Sequence, residues 1–128
     1  MVTQDVINIA SQWLDAWSGS EPAAIVPGDC GDSVLDWELP RDYPEVCWSS
    51  ILYVLSVIGA DVSDRRFGVL AAGPLEDLLD NHGEAFIDRV EAEAKANPAF
   101  AILLGGVWRS TIDDAVWKRM QKVSKGGW

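Results

Sequence analysis

Three side chains in the middle of the chain carry the residue types of acid–base chemistry: Glu76, Asp77 and His82. Two carboxylates and an imidazole could share a proton-transfer task if they converged on one point. Their spacing works against that, because adjacent helical residues point about 100° apart. An acidic pair just after Gly73-Pro74 has a plainer use, as partner of the positive end of a helix macrodipole. His82, followed by Gly83, falls where a helix would end, and an imidazolium is favoured at that negative end. As the one histidine of the chain, it is also the one imidazole base that a serine or cysteine nucleophile could use. No Gly-x-Ser-x-Gly elbow accompanies it, and neither of the phosphate-cradling glycine motifs occurs. Cys30 and Cys47, 17 apart, match no zinc-ligand spacing. Asp29, Asp32, Asp36 and Glu38 lack the alternating ligands and central glycine of a calcium loop. No metal and no cofactor is expected.

The second chemical feature is charge. The chain has 128 residues and a formal net charge of −10. Residues 1–64 hold eleven acids and a single base, Arg41, whereas residues 65–128 hold nine of each. All of the net charge therefore belongs to the first half. Seven of those eleven acids fall between Glu21 and Glu45, around Trp37. Direct binding to nucleic acid needs a basic face and is disfavoured. Attraction of a basic protein is favoured, with plain solubility as the competing use of acidity. Asp36, Trp37, Glu38 and Asp42 form the candidate partner-binding surface, since tryptophan is enriched at interface anchors.

The elements that position these residues read as all-α: a compact bundle of about six short helices packed as α-hairpins, in one domain over residues 1–128. A long irregular acidic segment, 18–43, follows the first helix; a short helix near 32–38 is the competing reading. Val6, Ala10, Trp13, Leu14 and Trp17 recur at helical spacing over 4–17. Pro44-Glu45 opens a helix through residue 59, apolar on nearly every face and so central; its β-branched content leaves a strand as the alternative. Asp61 or Ser63 caps a third helix through Phe67, Leu70 and Ala71. Gly73-Pro74 breaks or sharply kinks it, with glycine free to turn left-handed. A new helix then starts, with Glu76 and Asp77 in its first turn, and His82-Gly83 closes it. Residues 84–96 form the next, with Glu91 and Lys95 as an i,i+4 pair. Asn97-Pro98 separates it from the stripe of Phe100, Leu103, Leu104, Val107 and Trp108, where Gly105-Gly106 marks a helix end or a close approach. Ser110-Thr111-Ile112-Asp113 resembles a capping box at the start of the last helix.

The longest apolar run, Ile51 to Ile58, is far too short for a membrane span. The N-terminus lacks a basic region and a signal-peptide core, so a cytoplasmic protein with two free thiols is the expectation, a Cys30–Cys47 disulfide the alternative. Seven tryptophans suit core packing or an interface, and the latter makes a homodimer possible.

The stretch from Leu70 through Gly73-Pro74-Leu75-Glu76-Asp77-Leu78-Leu79, then His82-Gly83, Phe86 to Glu91, Asn97-Pro98, and Leu103-Leu-Gly-Gly-Val-Trp108, with Pro44-Glu45 and Trp48 upstream, resembles a family of small bacterial helical domains of unknown function. The likeness spans about residues 44–119. It implies a bacterial or phage protein, helical and cytoplasmic, and brings no activity with it. Trp48, Glu76, Asp77, His82 and Trp108, together with Gly73, Pro74, Gly105 and Gly106, would be its signature positions. Residues 1–43 lie outside the likeness, which makes the acidic segment particular to this chain. The favoured function is a non-enzymatic protein-binding module, of inhibitor or immunity type, that captures a basic, nucleic-acid-handling protein. The alternatives are an enzyme using Glu76, Asp77 and His82 near Trp48 or Trp108, and a structural homo-oligomer.

Overall fold

A computed structural model describes residues 4–16, 39–107 and 112–125. They form α1 (Gln4–Ala16), α2 (Leu39–Asp42), α3 (Pro44–Ile58), α4 (Arg65–Leu70), a π-helical turn (Ala71–Leu75), α5 (Glu76–Ala96), α6 (Pro98–Leu104) and α7 (Asp114–Val123). The all-α class is as the sequence predicts. The stretch 17–38, and with it Cys30, Asp36, Trp37 and Glu38, lies outside the described residues, as does Trp108.

Helix α3 is the axis of the bundle. Cys47, Trp48, Ser50, Ile51, Val54 and Leu55 are buried on it, which accounts for a sequence apolar on almost every side. Helix α1 covers one flank through Val6, Ala10 and Trp13. The π turn and α5 cover the other. Helix α7 lies against α5, and its Val116 and Met120 complete the core. Pro44 at the first turn of α3 has no N–H to leave unsatisfied.

Local chemistry chose different caps from some of those predicted. Asp64, not Asp61 or Ser63, is the N-cap of α4: its carboxylate accepts the Arg66 N–H at 2.9 Å and the Arg66 guanidinium as well. Asp61 instead accepts from the Ser63 N–H at 3.0 Å, making a turn ahead of the helix. Asn97 caps α6 through the Ala99 N–H, and Asp113 caps α7 through the Ala115 N–H. Gly105 and Gly106 end α6. Glu91 accepts from the Arg119 guanidinium of α7, which also holds Asp88, while the Lys95 charge lies near enough to favour ionised Glu91 as well.

At Gly73-Pro74 the α-helix gives way to the π turn rather than to a left-handed glycine end; Gly59 is the one positive-φ residue described. A proline inside an α-helix collides with the carbonyl four residues back. Here the ring is absorbed by a wider π turn, closed where the Glu76 N–H donates to the Ala71 carbonyl. The interruption predicted at His82-Gly83 is present: His82, with φ of −136° and ψ of 25°, is not helical, and α5 is two helical pieces that meet there at a kink.

The glycine after the kink is there for room. A Cβ on Gly83 would lie 3.0 Å from Val116 Cγ1 and 3.3 Å from its Cγ2. Valine is stiff about χ1 and cannot swing aside freely. Overpacking of this kind costs about 1–3 kcal/mol, against a helix-propensity gain of about 1 kcal/mol for alanine over glycine. Gly83→Ala should therefore lose stability in urea melts. In a Val116→Ala background the same change should become neutral or stabilising, and a coupling near zero in that double-mutant cycle would refute the contact.

Candidate functional site

The kink brings α5 against α2. His82 Nε2 lies 2.7 Å from the backbone carbonyl of Arg41. A carbonyl can only accept, so this ring nitrogen carries the hydrogen and donates it. While that bond stands, Nε2 is not a free base, and Nδ1 is the nitrogen left for chemistry. Asp77 faces the same junction. Burial, and then the nearby Asp80 carboxylate, raise its pKa above the usual aspartate value, while Arg41 opposes them. Asp77 is close enough to Cys47 to reinforce the effect of burial on that thiol, whose pKa is pushed far above its ordinary value. Cys47 is thus a buried, free, protonated thiol rather than a nucleophile.

A cleft of 320 Å³ opens beside the kink, lined by Asp80, His82, Glu84 and Asp113 among others. Asp113 is already committed to its helix cap. Among the described residues no group of three or more His, Cys, Asp or Glu is placed to hold a metal ion. Glu76 is half-buried and lines none of the three clefts described.

Trp48 sits elsewhere. Its ring packs on Phe86 and edge-on to Phe100, with centroids 5.7 and 5.4 Å away. It forms part of a 490 Å³ cleft between α3 and α5 with Glu45, Ser49, Leu52, Tyr53, Ser56 and Arg89. Arg89 closes one side, donating to Glu45 at 2.7 Å and lying 4.8 Å over the Phe86 ring. The signature residues therefore separate: Asp77 and His82 share the α2 junction, and Trp48 lines a different cleft.

A third surface lies where α1 meets the start of α3. Asp5, Asn8, Ile9, Tyr43 and Val46 line a shallow groove of 330 Å³. Tyr43 is 53 % exposed. Asp5 and the exposed Asp42 make no ion pair among the described residues, whereas Arg66, Arg89 and Arg119 are each bound to carboxylates. Of the predicted partner-binding residues, Asp42 is the one described. Tyr43 escaped the sequence reading, although an aromatic residue directly after Asp42 was a visible signal. Arg89 and Glu45 escaped it too, because their pairing spans 44 positions.

The raised pKa of Asp77 has a consequence for stability. A carboxyl that binds its proton more tightly when folded opposes folding once ionised, so its contribution worsens as pH rises from the ordinary aspartate range through the raised value. Asp64, Glu45 and Glu91, whose pKa values are lowered by Arg66, Arg89 and Arg119, act oppositely: their stabilisation is lost as pH falls through their folded values. Asp77→Asn should therefore raise the melting temperature at pH 7, with a gain that vanishes in acid. The gain is under about 1 kcal/mol, since water screens a half-buried carboxylate. A variant that melts lower at pH 7 than the parent would show that ionised Asp77 is held by favourable contacts instead.

Among the described residues no helix is long and apolar enough to cross a membrane. The chain belongs to a family of unknown function, DUF6869, which it matches over residues 31–127. That span is wider than the likeness read at 44–119, and it takes in Asp36, Trp37, Glu38 and Asp42. This part of the acidic segment is therefore within the family's span and not peculiar to this chain, while α1 precedes it. No curated protein and no solved structure matches the chain.

Proposed function

We propose that this protein is a non-enzymatic binding module that captures a basic protein through an acidic, aromatic face, as an inhibitor or immunity protein does with a nucleic-acid-handling target. The observation that carries the reading is Tyr43. It is more than half exposed, in the groove of Ile9, Val46 and Asp5 and next in sequence to the exposed Asp42, and neither Asp5 nor Asp42 makes an ion pair among the described residues. An aromatic anchor with unpaired charges at its rim is what an interface uses: the ring supplies affinity, the charges supply steering and register. Of the predicted surface of Asp36, Trp37, Glu38 and Asp42, Asp42 lies on α2, which packs on α3. A cytoplasmic setting fits the free Cys47.

The test is capture from the native host with the full chain as bait, followed by mass spectrometry across a salt series. The expected partner is a basic protein whose capture falls steeply between 50 and 500 mM salt, about the range over which the screening length shortens from ~14 to ~4 Å. Recovery of an acidic partner, or of one whose capture ignores salt, overturns the reading. A chain that elutes as a dimer with Tyr43 protected would assign this face to a second copy and overturn it too.

One observation favours a second reading, an enzyme: Asp77, whose pKa is raised, and His82 both meet Arg41, and perturbed ionisable groups gather at many proton-transfer sites. The commitment of His82 Nε2 to a backbone carbonyl weighs against it.

A further inference from the structure

We propose that the cleft between α3 and α5 is a second, independent binding site, for a small organic anion with a flat apolar body, an aryl carboxylate in chemical class. Its volume of 490 Å³ falls within the ~300–1,000 Å³ of small-molecule sites. The walls are mixed as such sites are, with Trp48, Leu52 and the Tyr53 ring as apolar surface, and serines and an arginine as polar groups.

The open polar groups decide the ligand's chemistry. Trp48 is only 8 % exposed, and its indole N–H, which makes no hydrogen bond among the described residues, is not one of the buried polar atoms left without a partner, so it keeps access to solvent and to a ligand. The Ser49 and Tyr53 hydroxyls likewise make no hydrogen bond among the described residues. The Arg89 guanidinium uses Nη1 toward Glu45, and its Nε and Nη2 make no hydrogen bond among the described residues. Indole and guanidinium can donate and cannot accept. A ligand that satisfies them must bring acceptors, and a carboxylate makes the strongest bonds to a guanidinium. The Phe86 ring under Arg89 holds the guanidinium at the rim before any ligand arrives. The apolar body then lies against Trp48 and Leu52.

Glu45 is the competitor. It occupies Arg89 in the free protein, so an entering carboxylate has to displace it or share the guanidinium. Removing the Glu45 charge should therefore tighten anion binding, an effect opposite to that expected of a cation site.

The experiment is an NMR titration of the whole chain with phenylacetate, using 2-phenylethylamine and benzyl alcohol as cationic and neutral probes of similar shape. Phenylacetate is expected to bind with a Kd of about 1 mM, a reasonable ligand efficiency for ten heavy atoms. It should shift the Trp48 indole N–H and the Ser49 and Arg89 signals, and both other probes should bind at least tenfold more weakly. Arg89→Gln should weaken phenylacetate about tenfold and Glu45→Gln should strengthen it severalfold. Both residues are largely exposed, so an unchanged spectrum elsewhere will confirm the fold. The proposal is overturned if phenylacetate binds no better than benzyl alcohol, if the amine binds best, if no site shift occurs, or if Arg89→Gln is silent. None of these outcomes depends on the protein partner or on the α1–α3 face.

Discussion

Trp13→Ala should destabilise the protein by about 3–5 kcal/mol in urea denaturation, the range for truncating a large buried aromatic side chain. Trp13 is wholly buried, and with Val6 and Ala10 it forms the stripe by which α1 docks on α3. Domains of this size are stable by only about 5–15 kcal/mol, so this one change removes a large part of the margin. The prediction matters because α1 precedes the span matched to the family. If α1 were an appendage, its loss would be nearly neutral, and a measured cost below about 1 kcal/mol would establish that. The structure argues otherwise. Without α1, the flank of α3 that it covers would meet water, and the Ile9–Val46 groove beside Tyr43 would lose one wall. Stability and the proposed binding face thus share a single helix, and Trp13→Ala should weaken partner capture even at temperatures where the variant remains folded.

What could be read in the sequence was whatever has a local cause. The stripe of α1, the buried axis of α3 and the proline and asparagine at the α5–α6 junction follow from helical periodicity and backbone chemistry within a few residues. The errors lie where a distant partner decides. Gly73-Pro74 carries the local signature of a break, but Leu70, Ala71, Pro74 and Leu75 are all buried, and a π turn keeps them in the core while accommodating the proline. His82-Gly83 carries the signature of an end and does interrupt the helix, at a kink where His82 meets the Arg41 carbonyl and Gly83 leaves room for Val116, and that meeting of elements was not legible locally. Arg41 was conspicuous as the lone base of the first half, yet it is its backbone oxygen that His82 holds. Near α4, Asp61, Ser63 and Asp64 all suit an N-cap, and spacing alone could not choose; the second bond from Arg66 favours Asp64. Clefts are assembled from different elements, so the Trp48–Arg89 cleft had no signal along the chain, and the Tyr43 groove had only the aromatic residue after Asp42. The lopsided charge is legible in the sequence, and Asp42 is followed directly by the exposed Tyr43 ring.

Charge reversal on that face should have the largest effect on binding. Asp5→Lys with Asp42→Lys replaces two attractions by two repulsions. At contact, unit charges near a protein surface interact by roughly 1 kcal/mol in water and up to about 4 kcal/mol where partly screened from it. At the lower figure, each reversal removes one attraction and adds one repulsion, so the two amount to about 4 kcal/mol, or a loss of about 1,000-fold in affinity to a basic partner. Most of it should appear as slower association, because rim charges act mainly on encounter, and the residual binding should depend less on salt. Adding Asp36→Lys and Glu38→Lys should deepen both effects. Folding should be little affected: the two acids make no ion pair among the described residues, and relief of repulsion in a chain of net charge −10 offsets the loss of Asp5 at the start of α1, where an acid favours the dipole by about 0.3–1 kcal/mol. The control is Glu84→Lys, an exposed acid beside the His82 kink, compared with Asp42→Lys alone. Both change the net charge equally, so only a local surface distinguishes them. Equal losses would mean that the partner senses total charge and not this face, and an unchanged affinity in the double variant would remove the Tyr43 surface from the interaction.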